Sequence, residues 1–230
     1  MRGRRAWAWV LAGALAWWFA MKPSNDRDWL PNVARTPWAT VDGDRVTIHN
    51  IRNFSYRTET DFTPAWYDKT YDLRKLEGID IVASYWMGPD IAHVFVSFAF
   101  AGGEHLAMSI ETRTEKGEGY STIKGFFRQY ELYYVVADER DVIGLRTNFR
   151  RDPPEDVYVY RVKSNPEGRR AFFLEAVAEV LVEPPDQRLE LAIPPQFAIV
   201  EHRLPVNQPA KFADAVRTQH DGRRGQVVSE

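Results

Sequence analysis

"HVFVSFAFAGGEHLAMSIE", residues 93 to 111, is the stretch whose reading decides the fold. In its first half Val94, Val96, Phe98 and Phe100 fall on one face of a strand, and His93, Phe95, Ser97 and Ala99 on the other. In its second half Leu106, Met108 and Ile110 share a face, while His105, Ala107, Ser109 and Glu111 share the opposite one. Matching the two apolar faces pairs 94 with 110, 96 with 108 and 98 with 106, and closes the hairpin over the three residues Ala101 to Gly103. That register sets His93 opposite Glu111. A two-residue loop would set it opposite Thr112 and mix the faces.

Working outward, the mostly apolar run Ile79 to Tyr85 reads as a buried strand that Gly88-Pro89 breaks, and residues 45 to 49 read as another. "YDLRKLEG" between them reads as a short polar segment. Downstream, a charged loop with Gly117 and Gly119 leads to a strand over Tyr130 to Ala137. A helix from Glu139 follows, with Asp138 as its N-cap and Glu139 and Asp141 in its first turn. Past Pro153-Pro154, "EDVYVYRV" alternates as a strand. Ser164-Asn165-Pro166-Glu167 then carries the Ser-x-x-Glu of a capping box, for a helix through Leu181 with Ala171, Leu174, Val177, Ala178 and Leu181 as its core stripe. The expected class is α+β, an antiparallel sheet with flanking helices.

The N-terminus bears on location. Arg2, Arg4 and Arg5 precede sixteen uncharged residues, Ala6 to Met21, and Lys22 closes the run. Such a helix rises ~24 Å against a hydrocarbon core of ~30 Å, so its flanking residues must snorkel to span it. Trp7, Trp9, Trp17 and Trp18 suit interfacial anchoring. A cleaved signal, with a small-residue site at Ala14-Leu15-Ala16, is the other reading, but two tryptophans would follow that cut. In either case the arginines stay cytoplasmic and the rest is exported. The organisation read here is a cytoplasmic stub (1–5), an anchor (6–21), a proline-bearing extended leader laid against the domain (22–44), the domain itself (45–181) and a tail (182–230) of different character. Six of the fourteen prolines fall between 184 and 209, yet only Phe197 and Phe212 of the thirty-one aromatics lie beyond residue 180.

Composition narrows the chemistry. A formal charge of −2 with no basic stripe argues against a nucleic-acid partner, and the absence of any cysteine excludes thiol nucleophiles, disulfides and thiolate zinc sites. His49, His93, His105 and Glu104 show no metal-ligand spacing, so no metal or other cofactor is implied. "RTETD", Arg57 to Asp61, is either a charge pair beside a cleft or a solvated edge. Arg113, Lys116 and Arg128 either meet lipid headgroups or are simply solvated. The remaining candidate is His93 as a general base oriented by Glu111, projecting into a pocket, with Ser97 and Ser109 on the same face. A satisfied strand-end histidine beside a rim carboxylate is the plainer reading of the same spacing.

Four segments, "IHNIRNFSYRTETDFTPAWYDKTYDL", "SYWMGPDIAHVFVSFAF", "SIETRTEKGEGYSTIKGFFRQYELYYVVADERDVIGLRTNFR" and "EDVYVYRV", together resemble the Lnb N-terminal periplasmic domain family of bacterial membrane-anchored proteins. The resemblance covers about residues 24 to 180. It implies a permuted relative of the papain-like NlpC/P60 fold, and, since some members are lipoprotein N-acyltransferases, acyl transfer through a thiol activated by a strand histidine. His93 matches the histidine of the family's Ala-His motif, and Glu111 stands where a polar partner would orient it. The family then continues into an Asn-Cys-Thr-Thr motif that supplies the thiol, whereas this chain runs "EPPDQRLELAIPPQFAIVEHRLP". The resemblance therefore implies an acyltransferase-like domain without its nucleophile. The tail after about 182 is then the product of a frameshift or recombination, which the two other reading frames of the coding DNA test. The open alternatives are a non-catalytic envelope protein binding a membrane lipid or lipoprotein, and a serine hydrolase using His93.

Overall fold

The computed structural model describes residues 24–119 and 130–181, with Trp9 and Gly13 as isolated helical positions. The expected anchor (otherwise), the tail and Arg128 lie outside the described residues. Among the described residues no helix is long and apolar enough to cross a membrane.

The quoted hairpin forms in the register that its apolar faces dictate up to the pair 96–108, but the expected rungs of 94 with 110 and of His93 with Glu111 do not form. Strands β1 (Trp38–Asp42), β2 (Arg45–Arg52), β5 (Trp66–Asp72), β6 (Leu76–Tyr85), β7 (Ala92–Phe100), β8 (Glu104–Arg113), β9 (Glu131–Ala137) and β10 (Asp156–Arg161) make one sheet, and β3 (Ser55–Tyr56) and β4 (Phe62–Thr63) a small second one. The order in the large sheet is β1-β2-β9-β8-β7-β6-β10, with β5 paired to β2. Pairing of β7 with β8 runs from Phe100–Glu104 to Val96–Met108 and stops there. Both strands continue, β7 along β6 as far as Ala92 and β8 along β9 as far as Arg113, so they part company toward one end of the sheet. All neighbours are antiparallel except β2 and β9, which share a single parallel rung, Arg52 with Ala137.

Alternation gives the sheet two buried faces. Phe98, Phe100, Leu106, Met108 and Val136 join Phe173 and Val177 of helix α2 (Pro166–Leu181) in one core. Phe95, Ala107, Tyr133 and Val135 join Val142 and Ile143 of α1 (Glu139–Gly144), with Trp29 and Val33 of the leader, in the other. Phe173 is fully buried edge-on to both Phe98 and Phe100, at 4.8 and 5.7 Å between ring centroids. Such a side chain contributes about 1.5–3 kcal/mol through burial alone.

Several expectations need correction. The leader is not merely extended: its Trp38–Asp42 is β1, an edge strand whose exposed half gives it no apolar alternation to read. β5 was not read at all, because a strand carrying Asp68, Lys69 and Thr70 on an open edge shows no apolar alternation; only its last residues, Tyr71 and Asp72, fall in the segment read as polar. β2 runs on to Arg52 through a bulge, where Asn50 adopts φ 59 and its side chain bonds the Thr36 carbonyl at 3.0 Å. Asp138 does cap α1, accepting from Arg140 N–H at 3.1 Å. That helix then widens into a π-helical turn over Leu145–Phe149. At α2 the cap is Asn165, accepting from Gly168 N–H at 2.7 Å, while the Ser164 hydroxyl turns to the Val162 carbonyl. The buried stripe of α2 is Phe173 and Val177 with Leu174 half-buried, and Ala171 and Ala178 are exposed.

Candidate functional site

His93 and Glu111 lie on the same sheet face, where β7 and β8 have stopped pairing. The imidazole Nε2 is 2.8 Å from Ser109 Oγ and 3.3 Å from Glu111 Oε1, and Ser109 Oγ donates to the same carboxylate oxygen at 2.7 Å. Arg146, from the π-helical turn, closes the cluster by donating from Nη2 to Glu111 Oε1 at 2.7 Å. Its Nη1 donates to the Val142 carbonyl at 2.9 Å, and its guanidinium lies 5.2 Å over the Phe95 ring. Its Nε is 3.6 Å from Glu155, an ion-pair distance with no hydrogen bond. Glu155 is held in turn by Arg150 at 2.7 Å and by the Ser84 hydroxyl.

This geometry assigns the protons. Burial pushes the Glu111 carboxyl up, but the Arg146 guanidinium and the His93 imidazole outweigh it and hold the group well below the usual carboxylate range. An ionised carboxylate only accepts, so the single Ser109 proton is directed to Glu111. Nε2 of His93 must then be the donor to Ser109 Oγ. The ring's lone pair in its neutral form is accordingly on Nδ1, for which no polar partner is found among the described residues. The imidazole is thus held through one nitrogen and carries no polar partner at the other among the described residues.

One shallow recess, with an internal volume of about 10 Å³, is bounded by Asn32, Arg35, Arg52, Trp66 and Tyr133, and His93 is not among its lining residues. His93 stands nearer the rim of the sheet, with 26% of its side chain exposed. Ser97 is not brought to it: its hydroxyl donates to Glu139 at 2.6 Å, and His105 lies 3.8 Å from that same carboxylate. Burial raises the Glu139 pKa, with the Ser97 bond and His105 opposing. His49 stacks on Trp38 at 3.7 Å and bonds Asp68 at 2.8 Å. No metal-holding cluster of His, Asp or Glu occurs among the described residues. Arg57 and Asp61 pair on an exposed edge. Arg113, one of the residues weighed for lipid headgroups, is buried instead, donating to the Val33 and Ala34 carbonyls and lying 4.2 Å over Trp29.

Sequence reasoning missed Arg146 and Glu155, since nothing in a helical periodicity announces a π-helical turn. It also took Asp141 only as a first-turn acid. Asp141 is fully buried and accepts two bonds from Arg52 Nε at 3.1 Å, one from Nη2 at 2.8 Å, one from Phe54 N–H at 2.7 Å and one from the Tyr56 hydroxyl at 3.2 Å. That knot fastens α1 to β2.

The chain belongs to the family of the Lnb N-terminal periplasmic domain, whose model matches residues 62–185. The match includes His93, Ser109, Glu111 and Arg146 and makes the domain periplasmic. No curated protein and no solved structure matches the chain.

Proposed function

We propose that this protein is an inner-membrane-anchored periplasmic domain of the lipoprotein acyltransferase type, built on a permuted papain-like frame, which keeps the base and its orienting group but lacks the nucleophile. His93 is the base and Glu111, acting through Ser109, the orienting partner. Residues 6–21 are the anchor, and the partner is a membrane lipid or lipoprotein. The observation that carries this reading is the bonding of His93: Nε2 is spent on the Ser109–Glu111–Arg146 chain, which leaves Nδ1 to face the group it would deprotonate. In a thiol acyltransferase that group is sulfur, and this chain has no cysteine. A hydroxyl is a poor substitute at neutral pH unless a base takes its proton. The Ser109 proton is committed to Glu111, so the arrangement does not support the serine-hydrolase alternative.

The full chain in detergent, treated with a fluorophosphonate probe and separately offered a diacylated lipopeptide with phospholipid donor, should show neither labelling nor acyl transfer. Nitrogen-15 spectra should show the His93 proton on Nε2 in the neutral ring. Labelling that disappears in His93→Ala, or measurable acyl transfer, would overturn the reading.

A further inference from the structure

The end of the sheet where β7 and β8 part is also where the chain leaves its N-terminal apolar run. Ser24 N–H bonds Glu131 Oε1 at 3.0 Å, Arg27 pairs with Glu131 and Glu115 at 3.1 Å each, and Leu30 N–H bonds the Thr114 carbonyl at 3.0 Å. Trp29 bridges to Glu115, and Lys116 holds both the backbone and the side chain of Asp28. Residues 24–30 are therefore strapped to the last residues of β8 and the first of β9. Three peptide steps separate Met21 from Ser24, a reach of at most ~11 Å.

The same end is apolar where it should be charged if it met only water. Among the described residues from Ser24 onward, six large apolar side chains are exposed, and four of them lie here: Met87 and Ile91 in the β6–β7 turn, Val94 on β7 and Leu132 on β9. In the sheet register, Asp156, Tyr85, Ala92, Thr112 and Leu132 form the outermost row of one face, and Tyr158, Ala83, Val94, Ile110 and Tyr134 the next. Helix α2 covers that face only farther in, over Phe98, Phe100 and Leu106. Strap charges at this rim are largely paired with one another, which leaves Asp26, Asp90 and Asp156 as exposed acids outside those pairs.

We infer that this end of the sheet, presenting Met87, Ile91, Val94 and Leu132, docks into the lipid interface of the membrane that holds residues 6–21. The inference rests on the anchor of the preceding section and adds an orientation to it. A short tether fixed at Glu131 holds that rim against the bilayer, and apolar side chains gain by leaving water at the acyl boundary. Docked so, His93, two residues or ~7 Å along the strand from Ile91, stands at the lipid surface.

The absence of native cysteine makes the test direct. Single-cysteine variants Ile91→Cys, Leu132→Cys and, at the opposite end of β6, Lys75→Cys are labelled with an NBD fluorophore. The full chain is then reconstituted in phosphatylethanolamine–phosphatidylglycerol vesicles with a headgroup-nitroxide phospholipid. Probes at 91 and 132 should lose about half their emission or more to an interfacial quencher, and the probe at 75, ~30 Å away along the strand, should keep nearly all of it. Adding Leu132→Asp should weaken quenching at 91. Flotation of the same samples separates the two readings. Chain that floats with 91 and 132 as unquenched as 75 overturns the docking and leaves the anchor, and chain that does not float overturns both. Blue-shifted but unquenched probes would mean that the tail or a second copy covers this face, and would also overturn the docking.

Discussion

Replacing Glu111 by glutamine removes one charge from a nearly isosteric side chain and tests the electrostatics of the His93 cluster. Arg146 is 3% exposed, so the charge it carries depends on Glu111 at 2.7 Å and Glu155 at 3.6 Å. Deleting one partner of a buried pair costs about 3–5 kcal/mol. Here Glu155 and the Val142 carbonyl remain, and a fifth of the Glu111 side chain reaches solvent, so the expected penalty is lower, roughly 2–3 kcal/mol. Urea titration of the full chain in a mild detergent, followed by tryptophan fluorescence, should show the midpoint falling by about 1–1.5 M for a slope near 2 kcal/mol/M. The sign with pH follows from the depressed folded-state pKa of Glu111. Its stabilisation is fully present above the unfolded value of about 4.3 and is lost as pH falls through the folded value, so the gap between wild type and Glu111→Gln should close well below pH 4. A neutral-pH midpoint change under about 0.3 M, or a gap unchanged at low pH, would refute the account of Arg146 as a buried cation held by this carboxylate.

Two further substitutions probe the frame around the site. Asp141→Ala should strand the buried Arg52 guanidinium and free the Phe54 N–H, costing about 3–5 kcal/mol and lowering Tm by roughly 6–20 °C in thermal unfolding. Gly78→Ala sets a methyl group 2.0 Å from the position of Arg161 Nη1 and should push that guanidinium off buried Asp80, now held at 2.5 and 2.9 Å. The expected cost is about 1–2 kcal/mol, and a double-mutant cycle with Arg161→Ala should be strongly non-additive; simple additivity would exclude this route.

What the sequence disclosed, and what it withheld, follows from how each element is buried. The hairpin was legible to the register between residues 96 and 108 because there both its faces are committed, one to α2 and one to α1, and a slip of one residue would invert them. The Asp138 cap was legible because its partner is two residues away. β1 and β5 were not, since strands flanking β2 at the sheet's margin keep too few buried positions to impose alternation. Within the site, the approach of His93 to Glu111 was readable from strand alternation, which puts both on one face, although the rung between them does not form. Ser109 was visible only as a neighbour on that face, and Arg146 was unreadable, because its approach depends on a helix widening that no periodic pattern encodes.

The lone parallel rung between β2 and β9 marks a seam. On one side stand β1, β2 and β5; on the other, the five strands from β9 to β10. Beyond that rung and the bond from Asp138 N–H to the Arg52 carbonyl at 2.9 Å, the backbones of the two groups share no ladder, and the Arg52–Asp141 ion pair rivets the gap beside them. Across this line the two strand groups are therefore held by side chains, the Arg52–Asp141 pair and Tyr71 packed 4.7 Å from Phe100 between ring centroids, rather than by a continuous backbone ladder.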